Sequence, residues 1–341
     1  MPTAAALAAA LALTSLLLAS PVSAALARST WGWRAPRPAL VLWQAVCLSA
    51  GVSAVGAGVA LAVEPLGDDV GSGVRTWFRN VVDGHPFRGQ TPAEIAVGAA
   101  SSAIALVLFA VLLRSLALTL RRRRAHRALL VLLTDSCPAT AVDRADLLAG
   151  VRILDHRTAV AYSLPGWHSQ VVLSAGLLDL LTRDELAAVI SHERAHIRSR
   201  HDLLVLPFQA WGSALGRLPG VRQAAVAVGE LAEMLADDIA VRGTDPRVLA
   251  RALAKVALAM SPATSPAGAP ATSPAGAPAA PAVVPVGAPP AASSVPGPVV
   301  SARVTRLLDR RRPPRWQVAA VYALAVVLLC VPVVLLLQSW R

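Results

Sequence analysis

The sequence predicts a mixed α+β domain inserted into a protein with four transmembrane helices. Three observations carry this: four long apolar runs, a segment in which strand-like runs precede capped helices, and the pattern H-E-x-x-H on one of those helices. The chain has 341 residues, of which 55% are hydrophobic and 15% charged. Soluble domains usually carry about 25% charged residues, so the deficit points to a membrane protein with the lipid bilayer as one partner. Cys47, Cys137 and Cys330 are the three cysteines, and two of them fall inside apolar runs. That excludes a disulfide framework and a cysteine metal cluster.

A bilayer core needs about 20 apolar residues per helix. Four runs meet this, at about 4–27, 39–63, 95–120 and 317–337. The third carries Arg114 near its end, where a long side chain can reach the interface. The first run ends in "ASPVSAALA", which offers a signal-peptide-like cleavage site, but "MPTAAALAAA" lacks the positive segment such peptides begin with. It is therefore read as a span. The net charge of +12 comes from arginines that cluster where apolar runs end, in "RRRRAHR" and "RLLDRRRPPR". Such clusters read as membrane-flanking charge that fixes orientation. No helix-turn-helix or aromatic-basic platform accompanies them, so no nucleic acid is expected as a partner. The positive-inside rule puts the segment from Arg121 to Arg315 in the cytoplasm, both termini outside and the loop 64–94 outside. The segments that follow are 1–120 with three spans, 121–260 as a folded cytoplasmic domain, 261–300 as a linker, 301–316 as a basic juxtamembrane stretch, and the last span. In the linker "ATSPAGAP" occurs at 263–270 and again at 271–278, a Pro/Ala composition that cannot bury a core.

Within the folded domain "GVRILDH", "TAVAYSL" and "SQVVLS" read as strands, the last after the turn "PGWH". A helix then starts at a capping box, Thr182 with Glu185 three residues on, and buries Leu186, Val189 and Ile190. A later helix spans roughly Val221–Val241 and stops before Gly243.

The first of these helices carries "VISHERAHIRSRHD", which places His192, Glu193 and His196 in H-E-x-x-H. With 7 histidines and 6 glutamates in the chain, chance gives this pattern about 0.003 times. Residues i and i+4 share a helix face, so both imidazoles can point at one metal while Glu193 sits beside them as a base. A catalytic zinc site takes three protein ligands and leaves one position open. Glu185 lies two turns before His192, about 10 Å along the helix, too far to share the ion. His201 is rotated off the face. His156 and His168, near the strand hairpin, stay open as candidates. Glu230 and Glu233 lie on the later helix, and Glu233 is preferred because Asp237, at i+4, can orient a ligand imidazole. Such a site can hydrolyse an amide, with one zinc ion per chain and Glu193 moving the proton. Tyr162, His201 and nearby arginines are candidates for stabilising the oxyanion, with nothing in the sequence to choose among them.

Together, "VAYSLPG", "VVLSAGLLDLLTRDELAAVISHERAH", "RSRHDLL" and "EMLADD" resemble the BlaR/MecR-type integral-membrane zinc metallopeptidases and, more distantly, the Ste-type and HtpX-type membrane peptidases. The resemblance covers roughly 150–241 and the arrangement of three spans before the domain and one after. It implies a zincin-like (gluzincin) α+β fold facing the cytoplasm, with His192, His196 and Glu233 as zinc ligands, Glu193 as catalytic base and Asp237 behind a ligand. It also implies that the strand around Tyr162 is the edge strand on which an extended protein or peptide substrate pairs. Only "QSW" and Arg341 follow the last run, so an extracellular penicillin-binding sensor, and with it β-lactam binding, is not expected. The implied activity is cleavage of a cytoplasmic protein, with a transcriptional repressor as the signalling substrate. The alternatives are quality control of membrane proteins and a zinc-containing transducer that does not cut. The oligomeric state is not legible.

Overall fold

The computed structural model describes residues 4–133, 146–166, 169–217, 219–260, 297–309 and 311–338. The linker at 261–296, Cys137 and His168 lie outside them. The chain divides into two compact units.

The first unit comprises Met1–Ser115, Leu206–Leu231 and Arg312–Arg341. It opens with α1 (Ala4–Leu17), a π-helical turn at Leu18–Val22 containing Pro21, α2 (Ser23–Arg28), α3 (Trp31–Arg34) and the long α4 (Pro36–Val63). The wide turn arises where Pro21 has no N–H to donate, and Ser23 Oγ donates to Leu18 O at 2.7 Å across it. After Asp69, whose carboxylate caps Ser72 N at 2.8 Å, comes α5 (Val70–Val82). Its buried Val70 packs with α1 and α4, and the same apolar face continues outward through Trp77, Phe78 and Val81. The helix α6 (Pro92–Leu133) then runs unbroken out of this unit. Among the described residues, four helical stretches are long and apolar enough to cross a membrane: Ala4–Arg28, Pro36–Leu66, Pro92–Ala128 and Arg315–Leu336. They overlap the four apolar runs of the sequence. Their contacts use small residues and stray hydroxyls. Ser101 Oγ donates to Val55 O at 2.9 Å, and a Cβ on Gly58 would come within 2.5 Å of that hydroxyl. Ser49 Oγ donates to Leu328 O at 2.8 Å. Such contacts are typical of helices that gain nothing from excluding water between them.

The second unit, Leu116–Val205 and Ala232–Arg311, holds the sheet. Its strands are β1 (Val151–Leu154), β2 (Ala161–Leu164) and β3 (Gln170–Ser174), in the order β1-β3-β2. β3 is central because Val171, Val172 and Leu173 are all buried; a strand covered on both faces reads as a continuous apolar run. β1 joins it in parallel and β2 antiparallel. The three runs are thus not a simple meander. Among the described residues, nothing pairs with the outer side of β2 or of β1.

Ser174 ends β3 and starts α7 (Ala175–Leu180) in one step: its Oγ accepts from Leu177 N at 3.2 Å and from Val160 N at 2.8 Å. Next is α8 (Arg183–Arg198), with the capping box in place. Leu186 and Ile190 pack onto Leu173 and Leu177 of the sheet layer. Glu185 also accepts from Lys255 Nζ at 2.7 Å. The remaining elements are α9 (His201–Leu215), α10 (Pro219–Ala240), α11 (Pro246–Ala259), α12 (Gly297–Leu308) and α13 (Arg315–Gln338). Of these, α9 and α10 each run from one unit into the other. α12 begins inside the stretch read as linker and occupies the first half of the one read as juxtamembrane. Its Val304 and Leu307 pack against Leu249 and Ala188. An amphipathic face, rather than proximity to a span, decides where this segment goes.

Thr182→Ala is expected to lower the thermal stability of the chain by about 1 kcal/mol, the usual worth of an N-cap. Burial alone would raise the Glu185 pKa, but hydrogen bonds from Lys255 and Thr182 hold it below its ordinary 4.5. A depressed carboxylate stabilises the fold above its unfolded pKa and loses that contribution as pH falls through the folded value. The Glu185 contribution therefore begins to fall below about pH 4.5 and is lost as pH passes the lower folded value, readable as a steeper acid limb of melting temperature against pH than Glu185→Gln shows.

Candidate metal centre

α8 and the C-terminal half of α10 bring the site together, both within the second unit. On α8 His192 and His196 are one turn apart, and their Nε2 atoms lie 3.1 Å from each other. On α10 Glu233 faces them. Its Oε2 is 3.5 Å from His192 Nε2 and its Oε1 3.5 Å from His196 Nε2. One ligand atom from each of the three falls within 4.8 Å of the others. Donors at zinc distances of about 2.0–2.2 Å around a tetrahedron stand roughly 3.3–3.6 Å apart. The three donors are spaced to hold one such ion, and two imidazoles with one carboxylate are chemistry that suits zinc.

The imidazoles are oriented from behind. His192 Nδ1 lies 3.0 Å from Asp237 Oδ1, a charged contact that is not aligned as a hydrogen bond; a proton on Nδ1 facing this carboxylate would leave Nε2 for a metal. His196 Nδ1 lies 3.1 Å from His201 Nδ1. For His196 to offer Nε2, its Nδ1 donates and His201 accepts. Both rings lose water on burial, which pulls each down to about 4 and keeps it neutral as a ligand or an acceptor must be. Burial acts on His192 the same way, but the Asp237 and Glu233 carboxylates outweigh it and bring it up to about 9, so a metal binding at Nε2 would displace a proton from this ring. Burial would raise Glu233, yet His196, His192 and Arg303 beside it hold its carboxyl well below the usual range. Asp237 is fully buried and kept ionised by Arg303 and His192 in the same way.

Glu193 sits next to the histidines. Burial pushes its carboxyl up, the opposite direction to Glu233. The two neighbouring carboxyls of Glu193 and Glu233 are thus driven in opposite directions. Ser163 of β2 hydrogen-bonds Glu193, so the edge strand and the candidate base are in direct contact.

Of the other residues singled out from the sequence, Tyr162 lies on β2 but turns away from the cluster. Its hydroxyl is 2.8 Å from His126 Nε2, it is buried, and burial pushes it up to about 12. His156 is exposed and accepts from Thr158 N. Glu230 is not among the grouped donors. His201 stands behind His196 rather than over a substrate position. Missed by the sequence reading is Arg303, 4% exposed, which bonds both Asp237 and Glu233 from α12. By sequence it falls in the basic juxtamembrane stretch 301–316. The signal that distinguishes it is its place beside Val304 and Leu307 on an apolar helix face.

Two histidines and a glutamate around a common point, with a second carboxyl alongside, are a donor set that metal-dependent hydrolases use. The comparison with known families agrees: the model of Peptidase family M48 matches residues 139–215, so this stretch is similar to a metallopeptidase domain of that family. The match contains His192, Glu193 and His196 and ends before Glu233 and Asp237. No curated protein and no solved structure matches the chain.

Proposed function

We propose that this protein is a membrane-embedded zinc endopeptidase that cleaves a cytoplasmic protein. The observation that carries the reading is the convergence of His192, His196 and Glu233 beside Glu193. Those three residues would hold one zinc ion, which polarises a carbonyl and acidifies water when bound. Asp237 fixes the tautomer of His192, and His201 fixes that of His196. Glu193 takes the proton of the attacking water and returns it to the nitrogen of the leaving amine as the C–N bond breaks. The outer edge of β2 offers its backbone to an extended substrate segment, which would add as a fourth strand alongside Tyr162 and Ser163.

The distribution of arginines supports a cytoplasmic peptidase domain with both termini outside. The resemblance to BlaR/MecR-type transducers supports a transcriptional repressor as substrate, and with it a role in signalling. A transducer that keeps the metal only for structure would have no need of Glu193, whose raised pKa suits proton exchange.

The test compares protein N-termini in cells expressing wild type and Glu193→Gln. New termini confined to wild-type cells are the expected result, concentrated in one regulator. Fragments of many membrane proteins would replace the signalling role by quality control. Identical termini in both strains would overturn the peptidase reading.

A further inference from the structure

We propose that Arg303 is a positioning residue of the metal centre: it clamps Glu233 and Asp237 in ligand geometry from a separate helix, and zinc retention depends on it. The inference rests on the metal centre proposed above and assigns it a further participant, outside the matched stretch 139–215.

The guanidinium is almost fully buried and makes three charged contacts. Nε donates to Asp237 Oδ2 at 2.8 Å and Nη2 to Asp237 Oδ1 at 2.7 Å, a two-pronged pairing. Nη1 reaches Glu233 Oε2 at 3.2 Å. Each contact acts on a different requirement of the site. Asp237 must present Oδ1 to His192 Nδ1, and the fork fixes the plane of its carboxylate while it does so. Glu233 has two oxygens and owes one to the metal. Arg303 engages Oε2, which leaves Oε1, the atom facing His196 Nε2, as the free donor. The guanidinium also stands between these two carboxylates, one helical turn apart on α10, and ties both to one cation. The planar fork of arginine suits this double task, whereas the ammonium of lysine is a point charge that cannot span both partners at once.

α12 itself is held by contacts that do not touch the ligands, which allows the clamp to be tested separately from the docking of its helix. Arg306 Nη2 pairs with Asp238 Oδ2 at 2.6 Å and Nη1 donates to Met234 O at 3.3 Å. Leu307 is buried in the apolar cluster with Leu249.

The experiment measures zinc affinity of the full chain in detergent by competition with a chelating dye, for wild type, Arg303→Gln, Arg303→Lys and Arg306→Gln, together with melting curves of the metal-stripped proteins. Wild type is expected to bind one zinc. Loss of an outer partner of a metal ligand typically weakens binding about 10–100-fold, and Arg303→Gln is expected in that range. Arg303→Lys should fall between it and wild type. Arg306→Gln should lower the melting temperature and leave zinc affinity unchanged. If Arg303→Gln does not fold, Arg303→Lys decides. Wild-type affinity in the Arg303 variants overturns the clamp while leaving the peptidase reading intact, and so does an equal loss in Arg306→Gln, which would reduce Arg303 to a helix-docking contact. A wild type that binds no zinc overturns both.

Discussion

Glu193→Gln is expected to lower kcat by about 10²–10⁴-fold on an unfolded reporter protein such as casein, the usual share of a general acid–base. Zinc content should not change. The amide keeps the size of the side chain and a partner for Ser163, but it cannot accept a proton from water. Glu193 does not belong to the ligand group, so the ion stays. Parallel turnover and metal analysis on one preparation separate the two properties. Near-wild-type turnover would sink the assignment of the base; loss of zinc along with activity would mean that Glu193 is a ligand.

The second large effect is expected at Glu233. Replacing it by Gln removes the only carboxylate among the three grouped donors and strands one prong of Arg303. Breaking a buried charged pair by removing one partner costs about 3–5 kcal/mol, and here the same change removes a ligand. The fall in zinc affinity should therefore exceed the about 10–100-fold expected when only an outer partner is lost. Glu230→Gln should bind zinc as wild type does. Both were open from the sequence, so the pair is a direct comparison: loss of metal in the Glu230 variant and retention in the Glu233 variant would reverse the assignment of the third ligand.

How much of this was legible depends on how far apart in the chain the cooperating residues lie. The capping box of α8 is a contact between Thr182 and Glu185, and the two histidines are one turn apart; three- and four-residue spacings can be read directly from a helical sequence. Glu233 and Asp237 were accessible because glutamates are scarce in this chain and the pair again sits at i and i+4. The four long apolar helices followed from length and apolarity. The sheet order was harder. β1 and β2 are consecutive in sequence and look like hairpin partners, but β3 takes the centre because its side chains are covered on both faces. Arg303 was illegible for a more general reason. Its partner Asp237 lies 66 residues away across a Pro/Ala stretch, and an arginine near the start of a span has an ordinary explanation in the membrane-flanking rule. Local charge statistics cannot tell a cation at an interface from one folded back into a buried site.

That separation also sets a timetable. A ribosome adds about 5–20 residues per second, so after Asp237 has been made about 3–13 s pass before Arg303 exists to meet it. Until then His192, Glu193 and His196 are already in the nascent chain, facing a carboxylate pair with no arginine between them. The centre would reach its final charge balance only when the last span is about to be synthesised. On the proposed reading, a peptidase centre assembled in that sequence stays unfinished while its own chain is still being made, the period when unfolded segments of that chain are within easiest reach.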